Sequence, residues 1–165
     1  MGSFRRVVLV GFEEALAKYI AENFRFSGDT LQNVPLVEGR NIFVQDMPEV
    51  EELAQTFTDF SIATEPTLAL YTDPGEGALP GVSGTPRHEW NLRFVLRLGT
   101  VPEETKMRLE ELVAWMERNT QGRIMGRFQV KKFLYVSRPT VFERAGDDHA
   151  FVSSVLRFIV VPLPQ

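Results

Sequence analysis

Apolar Trp90, Leu92, Phe94, Leu96 and Leu98 alternate with Asn91, Arg93, Val95 and Arg97. Successive side chains of a β-strand point to opposite faces. A two-residue period over this length therefore sets one apolar face against a core and a mixed face away from it. The segment reads as a long, half-buried antiparallel strand, and a chain that carries it must also supply strand neighbours and a cover for the apolar face.

The cover is legible on both sides of that strand. Phe12, Ala15, Leu16, Tyr19 and Ile20 recur at the spacing of one helical face, with Glu13, Glu14, Lys18 and Glu22 assigned to the other side, so a helix is expected over about residues 5–24. Gly11 is expected to kink that helix or delay its start, and Ser27-Gly28-Asp29 to stop it. Pro102 followed by Glu103 and Glu104 opens a second helix with an acidic first turn. Leu109, Leu112, Val113 and Met116 form its buried stripe, and it ends near residues 119–122. Residues 49–60 read as a shorter helix, because Val50, Leu53, Ala54 and Phe57 recur at three and four residues.

Further strands are expected at 41–45, 67–71, 128–137 and 151–161, the last two separated by a polar turn at 143–149. Residues 72–87 hold four glycines and three prolines and read as a long loop. The resulting order describes an α+β fold: a mixed, mainly antiparallel sheet with helices packed on one face and a long loop between strands. At 165 residues, with 44% hydrophobic and 24% charged residues, the chain is expected to form a single domain over 1–165 rather than a disordered or fibrous polymer.

The same inventory narrows the chemistry. Without cysteine there is no disulfide framework, thiolate metal site or cysteine nucleophile, and two histidines, His88 and His149, cannot build a multi-imidazole zinc site. Asp147, Asp148 and His149 stand together in an expected hairpin turn, where aspartate is favoured because its carboxylate bonds nearby backbone amides. His88-Glu89 falls at the expected end of the long loop, and Gly75, Gly77, Gly81 and Gly84 lack the lysine and following helix of a phosphate cradle. Serines 27, 61, 83, 137, 153 and 154 lie in no nucleophile-elbow pattern. We therefore expect no catalytic residues, no metal and no cofactor; an enzyme would require subunits to share a site, with His88 of one copy near Asp147 or His149 of another. The apolar run at 7–10 is too short for a signal-peptide core or a membrane span, so a soluble, unexported product without membrane contact is expected.

Charge is unevenly spread although the net charge is only −4. Residues 13–59 carry ten acids against three bases, whereas residues 118–138 carry six bases and no acid. Arg118, Arg123, Arg127, Lys131, Lys132 and Arg138, with Phe128, Phe133 and Tyr135 beside them, admit three readings. They can form a solvated, charge-protected edge strand, with Arg127, Gln129 and Lys131 on one side and Phe128 and Val130 on the other. They can bind single-stranded nucleic acid. They can also dock on the acidic region of a neighbouring copy, head to tail.

Three segments carry a resemblance: Asn41-Ile-Phe-Val-Gln-Asp-Met-Pro48, Glu65-Pro-Thr-Leu-Ala-Leu-Tyr-Thr-Asp-Pro-Gly75 and the alternating Trp90 strand after the polar loop. Together they resemble the tail terminator and minor capsid proteins of long-tailed phages. The closing hairpin over 140–161, with Gly-Asp-Asp at its turn, is similar to the end of the lambda-type terminator. Residues 48–65 depart from that shorter pattern. The resemblance implies a non-catalytic virion protein of the tail or neck, assembled in the host cytoplasm. Its homo-oligomer, a hexameric ring, would cap the head-proximal end of the tail tube, meet the tail tube protein and the head completion or connector protein, and let DNA pass its lumen without sequence-specific binding. On that reading Arg123, Arg127, Lys131 and Lys132 are subunit-interface candidates, and Asp73, Glu76 and Arg87 are partner-contact candidates of the loop. The alternatives are another neck or head-closure component, or a small α+β module that binds a ligand or nucleic acid.

Overall fold

The computed structural model describes residues 2–27, 35–46, 67–72, 78–79, 87–98, 101–142 and 151–163; of residues 2–10, 45–46, 67, 71–72, 78–79, 87–88, 142 and 151 it describes the backbone alone. The expected helix at 49–60, most of the loop at 72–87 and the turn at 143–149 lie outside the described residues.

Helix α1 spans Gly2–Asn23 and runs through Gly11 without a break, against the expectation of a kink or a late start. Gly11 faces the Phe128 ring, where an added Cβ would make only ordinary contact at 3.7 Å. Helix α2 spans Pro102–Asn119, with Pro102 in its first turn, Glu103 and Glu104 at its positive end and Arg118 at its negative end. Thr105 fixes its start: the hydroxyl donates to the Leu98 carbonyl at 2.6 Å.

The strands are β1 (Ile42–Asp46), β2 (Thr67–Thr72), β3 (Ala78–Leu79), β4 (Arg87–Arg97), β5 (Ile124–Met125), β6 (Phe128–Tyr135), β7 (Thr140–Phe142) and β8 (Phe151–Pro162). They form one sheet in the order β1-β2-β4-β8-β6-β5, with β3 beside β4 and β7 beside β8. The β1–β2 pair is parallel and every other pair is antiparallel, so the fold is α+β as the sequence implies. The expected loop at 72–87 is shorter at both ends. Thr72 belongs to β2, Ala78 pairs with His88 and Leu79 with Arg87, so His88 and Glu89 lie within β4 rather than at a loop end.

Register explains the core. Trp90 stands opposite Phe158, Leu92 opposite Leu156, Phe94 opposite Ser154 and Leu96 opposite Val152, so the buried set of β4 lies in line with that of β8. Both helices cover this face. Phe12 of α1 meets the rings of Trp90, Phe128 and Phe158 at 5.6, 5.7 and 5.6 Å, tilted or edge-on as ring quadrupoles favour. Leu109, Leu112, Val113 and Met116 of α2 join the same core. The helices also hold each other. Tyr19 packs on Trp115 and donates its hydroxyl to the Asn119 carbonyl. Where the chain leaves α1, Ser27 donates its backbone N–H and its hydroxyl to the two carboxylate oxygens of Glu111, at 2.6 and 2.8 Å.

One residue assigned to the outer side of α1 belongs inside. Glu13 is buried and accepts the indole N–H of Trp90 at 2.6 Å. On the far face of the sheet Val95 and Ala69 are also buried, so β4 is covered on both sides at that level.

Candidate assembly surfaces

The basic candidates gather at one edge of the sheet. After α2 the chain turns at Thr120–Gly122, and Gly122 takes φ +82°, a left-handed conformation that suits glycine. Strand β5 then runs back along β6, and the two are joined by the two-residue turn Gly126-Arg127, with Gly126 at φ +58°. Gly126 also lies under α1: an added Cβ would stand 3.2 Å from the Ala15 Cβ. This hairpin was not anticipated, although glycine at the first position of a two-residue turn between Ile124-Met125 and Phe128 is its sequence signature.

The turn brings Arg123 beside β6. The Val130 N–H donates to the Arg123 carbonyl at 2.9 Å, and the Arg127 carbonyl accepts the Leu163 N–H at 2.7 Å. Arg123, Arg127, Lys131 and Lys132 are all exposed, and Ile124 among them is 60% exposed.

Simple alternation along β6 does not hold. Val130 pairs with Val160 and Lys132 with Ile159, leaving Lys131 as the extra residue of a β-bulge. The bulge turns both lysines outward and restores the core register, so that Phe133 stands opposite Phe158 and is buried. Without it the pattern Phe-Gln-Val-Lys-Lys-Phe would send Phe133 to the wrong face.

Beyond the bulge the edge is tied to α2. Tyr135 donates its hydroxyl to Glu117 at 3.0 Å, and the Arg138 guanidinium sits 5.3 Å from the centre of its ring. Partial burial raises the Tyr135 pKa above its ordinary value, and the hydrogen bond and charge of Glu117 add to this, against a lowering by Arg138. Ser137, in the connection from β6 to β7, is held to β8: its carbonyl accepts the Ser154 hydroxyl and its own hydroxyl accepts the Val155 N–H.

The far face of the sheet carries a second polar group. Arg157 on β8 reaches across to β4, pairing with Glu89 at 2.5 Å and with the Asn91 side-chain oxygen at 2.9 Å. Arg93 donates to the Ser153 hydroxyl at 3.2 Å. These half-buried contacts link the two central strands. Between α1 and β1 lies an open groove of about 520 Å³, apolar along Ala15, Ile42 and Val44 and rimmed by Glu14, Lys18 and Glu38.

Of the acids in residues 13–59 whose side chains are described, Glu13 is internal and Glu14, Glu22 and Glu38 are exposed; the other six lie outside the described side chains. Arg87 is the first residue of β4, opposite Leu79, while Asp73 and Glu76 lie outside the described residues, as do Asp147, Asp148 and His149. Among the described residues no three His, Cys, Asp or Glu side chains converge on a metal position. No described helix is long and apolar enough to cross a membrane.

No family model matches the chain, and no match is found among curated proteins. Among solved structures it is similar to a chain from the virion of a native gene transfer agent particle, at 10% identity and a TM-score of 0.48, covering 74% of this chain and 80% of that one.

Proposed function

We propose that this chain is a structural virion protein, a tail terminator that closes into a ring on the head-proximal end of a phage tail tube. The ring stops tube growth and presents the surface to which the head connector joins, and DNA passes through its lumen without sequence-specific contact. The observation that carries this reading is the order of elements over the segments that bear the resemblance. An N-terminal helix precedes a short strand, a strand leading into the glycine-rich stretch, a long alternating strand, a proline-opened helix and a closing hairpin.

The exposed basic edge adds support. Four cations around exposed Ile124, on a hairpin whose second strand is bulged, suit a contact made by side chains with another protein surface. In this reading Arg123, Arg127, Lys131 and Lys132 meet the next subunit, and Asp73, Glu76 and Arg87 reach the tube or connector.

The test is the mass of the purified chain by light scattering across concentration and salt, with negative-stain imaging, followed by addition of polymerising tail tube protein. A ring of about six copies, or tubes whose growth stops on adding the chain, supports the proposal. Tubes that elongate unchanged, with no chain bound at their ends, overturn it.

A further inference from the structure

Helix α2 separates two surfaces of opposite charge. Its 18 residues span about 27 Å at 1.5 Å per residue. At its start Val101 and Met107 are 52% and 54% exposed. Around them Glu103, Glu104 and Glu110 are exposed and form no ion pair among the described residues. Lys106 is half-buried there, and the charge of Arg108 is taken up by Glu111 and Ser27. Just beyond its other end stands the β5–β6 hairpin, with exposed Ile124 among Arg123, Arg127, Lys131 and Lys132, which likewise form no ion pair among the described residues.

We propose that these two patches are the two sides of one contact between copies of this chain. The first turns of α2 from one copy seat on the β5–β6 hairpin of the next, Val101 and Met107 against Ile124, with the glutamates ringed by arginine and lysine. Each patch has the anatomy of an interface, an apolar centre inside a charged rim. Along α2, Glu103 and Glu104 lie about 22–24 Å and Glu110 about 13 Å from the helix end nearest the hairpin, beyond the Debye length of about 8 Å at physiological salt, so attraction between the two patches of one copy is largely screened. Because the two surfaces differ, the contact is heterologous, and repetition generates a ring or an open filament. The bulge at Lys131 fits this use, since it keeps the edge from extending the sheet and doubles the outward charge. The inference rests on the ring reading above and names the acidic side as α2 rather than residues 13–59.

The experiment uses two charge-reversed variants, Lys131→Glu/Lys132→Glu and Glu103→Lys/Glu104→Lys/Glu110→Lys. All five positions are exposed, and circular dichroism checks that both variants fold. The wild-type chain is expected to associate with rising concentration and to dissociate with salt. Each variant alone should need a concentration roughly tenfold higher or more. An equimolar mixture of the two should recover the wild-type mass, because each then offers the complement of the other. Variants that assemble like wild type overturn this contact and leave the ring reading standing. A wild-type chain that stays monomeric at low salt up to millimolar concentration overturns it for free copies, while the tube-growth assay still reports on the ring. If the lysine variant keeps the wild-type mass but loses retention of duplex DNA, the hairpin is a nucleic-acid surface and the proposal fails.

Discussion

Glu13 and Trp90, 77 residues apart, meet in the core, where the indole N–H donates to a carboxylate oxygen at 2.6 Å and both side chains are buried. The bond fixes α1 over β4 at the point where Phe12 packs on the same indole. A polar group buried with its hydrogen bond intact is tolerated, whereas removing one partner exposes the cost of desolvating the other. Trp90→Phe should therefore lower unfolding free energy by about 1–3 kcal/mol. Glu13→Gln, which keeps a carbonyl acceptor, should cost less than Glu13→Ala. Urea denaturation of the three variants checks the ranking, and an alanine variant as stable as the glutamine one would contradict it.

Phe12 touches three rings and is fully buried, so Phe12→Ala leaves a cavity that rigid β4, β6 and β8 cannot close. A loss of about 3–5 kcal/mol is expected, read as a drop in the denaturation midpoint with an unchanged slope.

Glu111 binds the backbone and hydroxyl of Ser27 and also pairs with Arg108 at 3.1 Å. Glu111→Ala should cost about 1–2 kcal/mol, more than Ser27→Ala, because the alanine at 111 removes every one of these bonds and the alanine at 27 leaves the backbone bond in place. Hydrogen exchange should show faster opening at the end of α1 in the Glu111 variant.

Deleting Lys131 should be tolerated within about 1 kcal/mol, since Lys132 already faces Ile159 and Phe133 faces Phe158. Deleting Gln129 from the regular part of β6 instead slips Phe128 and Val130 relative to β8 and should abolish cooperative unfolding. Thermal melts of the two deletions distinguish a bulge from ordinary strand: equal losses would show that Lys131 is not the extra residue.

Tyr135 has its pKa raised by burial, by its bond to Glu117 and by that carboxylate's charge, despite Arg138. The fold thus favours the neutral phenol. That stabilisation is complete below the usual phenol pKa of about 10 and is lost as pH rises through the higher value in the folded chain. Absorbance titration should show a phenol ionising above the usual value, absent in Tyr135→Phe. Glu117→Gln should bring it down.

Local pattern determined much of this protein. The alternation at Trp90 to Leu98 fixed a strand and its core face, because side-chain direction in a strand depends only on position along the chain. The helical spacing around Phe12, and the proline and acids before Leu109, fixed two covering helices and most of their buried residues for the same reason. The tertiary structure decided what depends on partners distant in sequence. Glu13 is internal where Trp90, distant in sequence, supplies a donor, and Lys131 becomes a bulge because Phe133 meets Phe158. Arg123, Arg127 and the two lysines form one surface because a two-residue turn folds β5 back on β6, and the exposed Glu103 and Glu104 sit in the first turn of α2, at the end away from that turn. Charge totals along a sequence carry no distance, and the length of α2 is what sets Glu103 and Glu104 about 22–24 Å from the helix end beside the hairpin.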